Sequence, residues 1–74
     1  MTDVVIYTKG YCSYCAAAKS MLEGKDMTFT EIDVQNSSES VSEMVKRSNR
    51  RAVPQIFFGE DHIGGYAELV RHFK

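Results

Sequence analysis

The sequence predicts an α/β fold in which helices cover both faces of a four-stranded mixed sheet, in the order β-α-β-α-β-β-α. Three observations carry this. Two short runs rich in β-branched residues, Val4-Val5-Ile6-Tyr7 and Ile32-Asp33-Val34, are each followed by an apolar stripe at helical spacing. A third run, Gln55-Ile56-Phe57-Phe58, meets the turn Gly59-Glu60-Asp61 and then His62-Ile63-Gly64, which reads as a hairpin. The chain closes on Tyr66, Leu69, Val70 and Phe73 at i, i+3, i+4 and i+7, the stripe of a last helix.

Each element has its own justification. Val4 to Tyr7 has the composition of a buried strand. Gly10 breaks it, and Cys15, Ala18, Met21 and Leu22 recur at helical spacing up to Gly24, which reads as the C-terminal cap. Met27 to Val34 alternates imperfectly, with Phe29 on one face and Ile32 and Val34 on the other. A strand partly covered on both faces accounts for that better than an edge strand. Asn36 to Ser40 is a polar loop, where Ser40 with Glu43 and Asn36 with Glu39 both fit a capping box, so the start of the next helix stays open. Val41, Met44 and Val45 form its stripe, and it is expected to end near Asn49. The first three elements should form a right-handed unit with parallel strands. Helices must then cover both sheet faces to dry out Val5, Phe29 and Ile56.

Size and composition bound what such a fold can do. With 74 residues, the chain is expected to be a single domain over 1–74. A body this small buries only about 60% of its unfolded surface, which excludes a large cavity or a second lobe. Hydrophobic residues at 43%, charged residues at 26% and one proline describe an ordinary globular chain rather than a disordered one. No stretch approaches the roughly 20 apolar residues of a membrane span. The first residues reach Asp3 without a basic region, so no secretory signal is expected there. A net charge of -1 supplies no general attraction to nucleic acid or to an anionic membrane.

The two cysteines, three positions apart, are too few and too close for a disulfide scaffold. Cys12-Ser13-Tyr14-Cys15 straddles the strand-to-helix junction, at the carboxyl end of the first strand, where ligands gather in parallel sheets. Residues i and i+3 of a helix lie about 5–6 Å apart, within the span of a disulfide. Cys12 would sit at the helix N-terminus, where unpaired amides and the helix dipole favour a thiolate. Cys15, one turn further in, would be more buried and keep its proton. Lys9 adds a positive charge nearby. This assigns attack on a disulfide sulfur to Cys12 and resolution of the mixed disulfide to Cys15. A pair of ordinary buried cysteines is the plain alternative, disfavoured by the motif's place beside a βαβ pattern. A zinc site needs four ligands, and only His62 and His72 remain, in different elements; both read as surface residues.

Tyr7-Thr8-Lys9, Cys12 to Cys15, Ala52-Val53-Pro54-Gln55-Ile56-Phe57 and Ile63-Gly64-Gly65-Tyr66 follow one another as in a glutaredoxin, and the resemblance runs from about Val4 to Leu69. It implies a thioredoxin fold with Pro54 in the cis form, facing the cysteines. Without the resemblance, the lesser alternative is that Pro54 merely starts a strand. A cis turn would offer the Val53 backbone to the cysteine unit of glutathione as a strand edge. Lys9, together with Arg50 or Arg51, would hold the glycine carboxylate. The amides of Tyr66 and Ala67 would hold the γ-glutamyl carboxylate, and the Tyr14 ring would cover the thiol region. The basic cluster Lys46, Arg47, Arg50, Arg51 has a plainer side: Lys46 and Arg47 are expected to compensate a helix dipole, and a nucleic-acid surface would need a larger field and stacking aromatics.

The sequence departs from the family pattern at Ser13, where many dithiol members have proline, and at Ala52, which replaces a frequent threonine. Ala67-Glu68 stands where an aspartate usually takes the γ-glutamyl ammonium, and the last helix is expected to be short. The resemblance implies a glutathione-dependent thiol–disulfide oxidoreductase, a cytoplasmic monomer acting on glutathionylated or disulfide-containing proteins. Two alternatives accompany it. Ser13 motivates a dimer holding a [2Fe–2S] cluster through Cys12 of each copy and two glutathiones. A thioredoxin-like hydrogen donor is the other, against which Lys9 and Gly64-Gly65 argue.

Overall fold

The computed structural model describes residues 3–74. Its elements are β1 (Val4–Thr8), α1 (Ser13–Gly24), β2 (Thr30–Asp33), α2 (Ser38–Ser48), β3 (Gln55–Phe58), β4 (Asp61–Gly64) and α3 (Tyr66–His72), the expected order. The four strands lie in the order β2-β1-β3-β4. β1 runs parallel to β2, with Tyr7 opposite Ile32, and antiparallel to β3, with Ile6 opposite Ile56. β3 and β4 form the antiparallel hairpin through a turn at Gly59-Glu60, where Gly59 takes a φ of 62°. A positive φ at the first central residue is what a two-residue hairpin turn needs, and glycine adopts it without steric cost.

Alternation along β1 divides the core in two. Val4 and Ile6 pack with Ala18, Leu22, Ile56 and Leu69, the layer between the sheet and α1 with α3. Tyr7 packs with Val34, Met44 and Phe57 on the α2 side, where Val5 and Ile32 add partly buried cover. Helices therefore dry both faces, as the pattern requires.

Several expectations need correction. β2 is an edge strand, shorter than Met27 to Val34, and Thr30, Glu31 and Asp33 are exposed. Because β1 is already flanked by β3, β2 has one neighbour; Phe29 and Val34 reach opposite core layers from just outside the strand. Gly24 is the last residue of α1 rather than its left-handed cap. The chain leaves through Lys25, and Asp26 takes the positive φ of 57°, since a short polar side chain tolerates that region. Neither proposed capping box starts α2. Ser37 is the cap, its hydroxyl accepting from the Ser40 amide at 3.2 Å. The end of α2 is as expected, with Asn49 left-handed at a φ of 59°.

Arg47 does more than compensate a dipole. Its guanidinium lies 4.0 Å from the Phe57 ring centre and donates to the Tyr7 hydroxyl at 3.0 Å, while that hydroxyl donates to Glu43 at 2.5 Å. His62 is not a plain surface residue either. It is half-buried, 4.9 Å from the Phe57 ring, with Nε2 2.8 Å from Gln55 Oε1. Burial, and then the charge of Arg50, hold it below the usual histidine range.

The exposed edge is tied down by charge. Glu31 accepts from the buried Thr8 hydroxyl at 2.6 Å and from Lys19 of α1 at 3.0 Å. Those two contacts, the hydroxyl first, hold its carboxyl below the ordinary range. A carboxyl with a depressed folded pKa stabilises the fold above its unfolded value of about 4.3, and that contribution disappears as pH falls through the folded value. Glu31→Gln should therefore cost below about 1 kcal/mol at pH 7, given the exposed pair, and close to nothing at pH 3. Urea unfolding at both pH values checks this; a loss that is the same at both would contradict the linkage.

Candidate active site

β1 delivers its carboxyl end at Thr8, and the loop Lys9 to Tyr11 leads directly into α1. The Gly10 amide donates to Gln35 Oε1 at 3.0 Å, and a Cβ on Gly10 would stand 2.8 Å from that oxygen. A glycine there lets the loop lie against the segment after β2. Cys12 follows as the N-cap of α1, with extended backbone at φ -124° and ψ 109°. Its Sγ accepts from the Cys15 amide at 3.2 Å, the bond a Ser, Thr or Asp oxygen makes at most helix starts. The sulfur thus takes the place of a capping oxygen beside the free amides of the first turn.

The two sulfurs meet different surroundings. Cys12 is half-exposed, and its Sγ lies 3.8 Å from the Val53 carbonyl oxygen. Cys15 is only 2% exposed, and burial, followed by its hydrogen bond with Cys12, pushes its thiol up to about 11. Both are free thiols. The asymmetry expected from helical position is thus built into the packing.

Beside them runs a groove of about 310 Å³, lined from one side by Arg50 and Ala52 to Gln55 and from the other by Gly65 to Glu68, with Tyr14 over it. The Val53–Pro54 peptide is cis. Of the residues singled out from sequence, Tyr14, Arg50, Val53, Pro54, Tyr66 and Ala67 line this groove; Cys12 meets it through Val53, while Lys9, exposed on the loop before Cys12, and Arg51 do not line it. Tyr14 is 64% exposed, its ring 5.9 Å from that of Tyr66. A larger hollow of about 700 Å³ lies along α2 and takes in Arg51.

Residues 4–63 match the family model described as glutaredoxin. The chain belongs to the glutaredoxin family. It is 45% identical over 69 residues to glutaredoxin 3 of Escherichia coli, spanning 93% of this chain and 83% of that one. A glutaredoxin of Neisseria meningitidis is 44% identical over 72 residues, covering 96% and 85% of the two chains. The solution structure of a Brucella melitensis glutaredoxin superposes with a TM-score of 0.82 at 46% identity, covering 96% of this chain and 77% of that one. The protein is therefore a bacterial-type glutaredoxin with a thioredoxin fold, a thiol–disulfide oxidoreductase of the C-x-x-C kind.

Two residues of this glutaredoxin's groove were not foreseen in their present roles. Gln55 is buried, donating to the Ala52 carbonyl at 2.8 Å and meeting His62 on its other side, so it braces the segment on which Val53 lies. Glu68 caps α3 by accepting from the Gly65 amide at 2.9 Å and pairs with Arg50 at 2.7 Å. S/T-x-x-E spacing is the usual sign of such a cap, and the glycine at the first position hid it.

The difference between the sulfurs is directly measurable. At pH 8, iodoacetamide should place one adduct on Cys12 well before any on Cys15, whose thiol stays protonated and enclosed. Peptide mapping by mass spectrometry of timed samples checks this, and equal labelling of both sites would refute the asymmetry.

Proposed function

We propose that this glutaredoxin is a glutathione-dependent oxidoreductase acting through Cys12 and Cys15, with residues 1–74 as one domain. The Cys12 thiolate attacks the glutathionyl sulfur of a mixed disulfide. The substrate's thiolate leaves and takes up a proton, and Cys12 now carries the glutathionyl group. The thiolate of a second glutathione then attacks that sulfur, releasing glutathione disulfide and restoring Cys12. With a protein disulfide, Cys12 first bonds to one substrate sulfur. Cys15, after giving up its proton, attacks Cys12, and the second substrate thiol is freed. Two glutathiones reduce the internal disulfide that results. The protein-disulfide cycle moves two electrons from two glutathiones to one disulfide, whereas the mixed-disulfide cycle consumes one glutathione, which leaves joined to the glutathionyl group as glutathione disulfide.

The observation that carries this reading is the Cys12 sulfur, bonded by an amide and standing 3.8 Å from the carbonyl of Val53, a residue that lines the groove. In this position the Val53 backbone suits the cysteine unit of glutathione as a strand edge does. We assign the γ-glutamyl carboxylate to the amides of Tyr66 and Ala67, and the glycine carboxylate to Arg50 and to Lys9 approaching from outside the groove. Pro54 forms the groove wall behind Val53, and Tyr14 flanks the thiol. The partners on this reading are glutathione and glutathionylated or disulfide-containing proteins, met by a monomer in the cytoplasm.

The two cysteines should separate in a glutathione-reductase-coupled assay. Cys12→Ser should abolish turnover of a glutathionylated peptide. Cys15→Ser should retain it, because the second glutathione replaces the resolving thiol, while losing reduction of a protein disulfide. Equal loss in both variants would overturn the role assignment.

A further inference from the structure

Glu68 is held from several sides. Its Oε1 accepts from the Gly65 amide at 2.9 Å and from Arg50 Nη1 at 2.7 Å, and Arg71 stands 3.4 Å from Oε2. The carboxylate lies so close over the backbone that a Cβ on Gly64 would be 2.5 Å from Oε1; at a φ of +119° that position suits glycine alone. Arg50 is fixed at its base as well. The buried Ser48 hydroxyl, which donates to the Met44 carbonyl at 2.7 Å, accepts from the Arg50 amide at 3.1 Å. The two side chains come from the two segments lining the groove and meet across it.

The pair is built to be replaced. Arg50 offers Glu68 one nitrogen rather than its fork, and the side chains are 49% and 28% exposed. Such a pair is weak, and a carboxylate that engages the guanidinium in bidentate fashion is a stronger partner. When Arg50 leaves, Glu68 keeps the Gly65 amide and Arg71, so no charge is stranded.

We propose that Arg50 and Glu68 form a latch across the groove: a carboxylate of the incoming ligand takes Arg50 from Glu68, which makes Glu68 a specificity-determining residue for carboxylate-bearing thiols. The inference rests on the glutathione reading above and adds to it a residue that opposes the ligand. Glu68 weakens the binding of a ligand carboxylate by the strength of the pair it surrenders and leaves an analogue without carboxylates untouched.

The test is amide NMR titration with S-methylglutathione, which cannot exchange disulfides, and with its diethyl ester, which lacks the carboxylates. Glu68→Gln keeps an acceptor for the Gly65 amide. It should bind S-methylglutathione about two- to five-fold more tightly than the wild type, the range an exposed pair allows, with diester binding unchanged. Arg50→Gln should weaken S-methylglutathione binding, and Glu68→Gln should add nothing in that background. Unchanged or weaker binding in Glu68→Gln overturns the latch. So does an equal gain without Arg50, which would reveal simple charge repulsion. Should Glu68→Gln fail to fold, the wild-type Glu68 carboxylate carbon resonance decides: it should move on saturation with S-methylglutathione, and an unmoved resonance overturns the proposal. If S-methylglutathione moves no groove amide of the wild-type protein at all, the glutathione reading itself falls and the latch with it.

Discussion

The hydrogen bond from the Cys15 amide to the Cys12 sulfur is the contact on which the site depends. It exists because a strand ends, a short loop turns, and a helix begins on a cysteine. One bond satisfies an amide that has no partner within the helix and fixes the sulfur over the first turn. The same helical turn carries the second cysteine inward, where it is 2% exposed and held up to about 11. Position along one turn thus separates two identical side chains into a half-exposed sulfur and an enclosed one. Lys9 lies exposed on the loop before Cys12 and does not line the groove.

Holding that turn still is the task of a small core. The layer under α1 is aliphatic, with Ile6, Ala18, Leu22, Ile56 and Leu69 fully enclosed. The other layer is covered differently, because α2 supplies few apolar residues: Val41, Met44 and Val45. Arg47 completes the cover, its guanidinium flat enough to lie 4.0 Å from the Phe57 ring while bonding the Tyr7 hydroxyl. Tyr7 meets Phe57 edge-on at 5.8 Å and ends on Glu43 and Arg47, so its ring is core and its hydroxyl is a tether to α2. A short amphipathic helix docks here through aromatic and charged contacts where aliphatic bulk is lacking.

What could be read from the sequence follows the range of the interactions involved. Helical spacing of Ala18, Leu22, Met44 and Leu69 and the hairpin around Gly59 are local signals, and those elements form where they were expected. The dithiol was legible for the same reason, being one turn of one helix. Features decided by distant partners were not. Phe29 and Val34 are apolar whether the strand between them is central or an edge, so the place of β2 depended on β3 taking the far side of β1. Asp26 rather than Gly24 takes the left-handed turn because Met27 must return to bond the Leu22 carbonyl, at 3.0 Å. Arg47 looked like a helix-end cation since its ring partners lie far away in sequence. The cis form of Pro54 came from family resemblance alone; nothing in neighbouring residue types announces it.

The groove explains why this chain can depart from its family's pattern at Ala52 and Ala67. Along both segments backbone groups take fixed positions: the Val53 carbonyl beside Cys12 and the Ala52 carbonyl held by Gln55. Replacing a side chain there leaves those carbonyls where the fold puts them. Glu68 is different, because its carboxylate is itself a contact, reaching the Gly65 amide and Arg50 together. That reach requires the space left by the missing Cβ of Gly64, so the glycine and the glutamate act as one unit. A site made largely of backbone tolerates drift in its side chains, and the few side chains that do reach across it are where one glutaredoxin can differ from another.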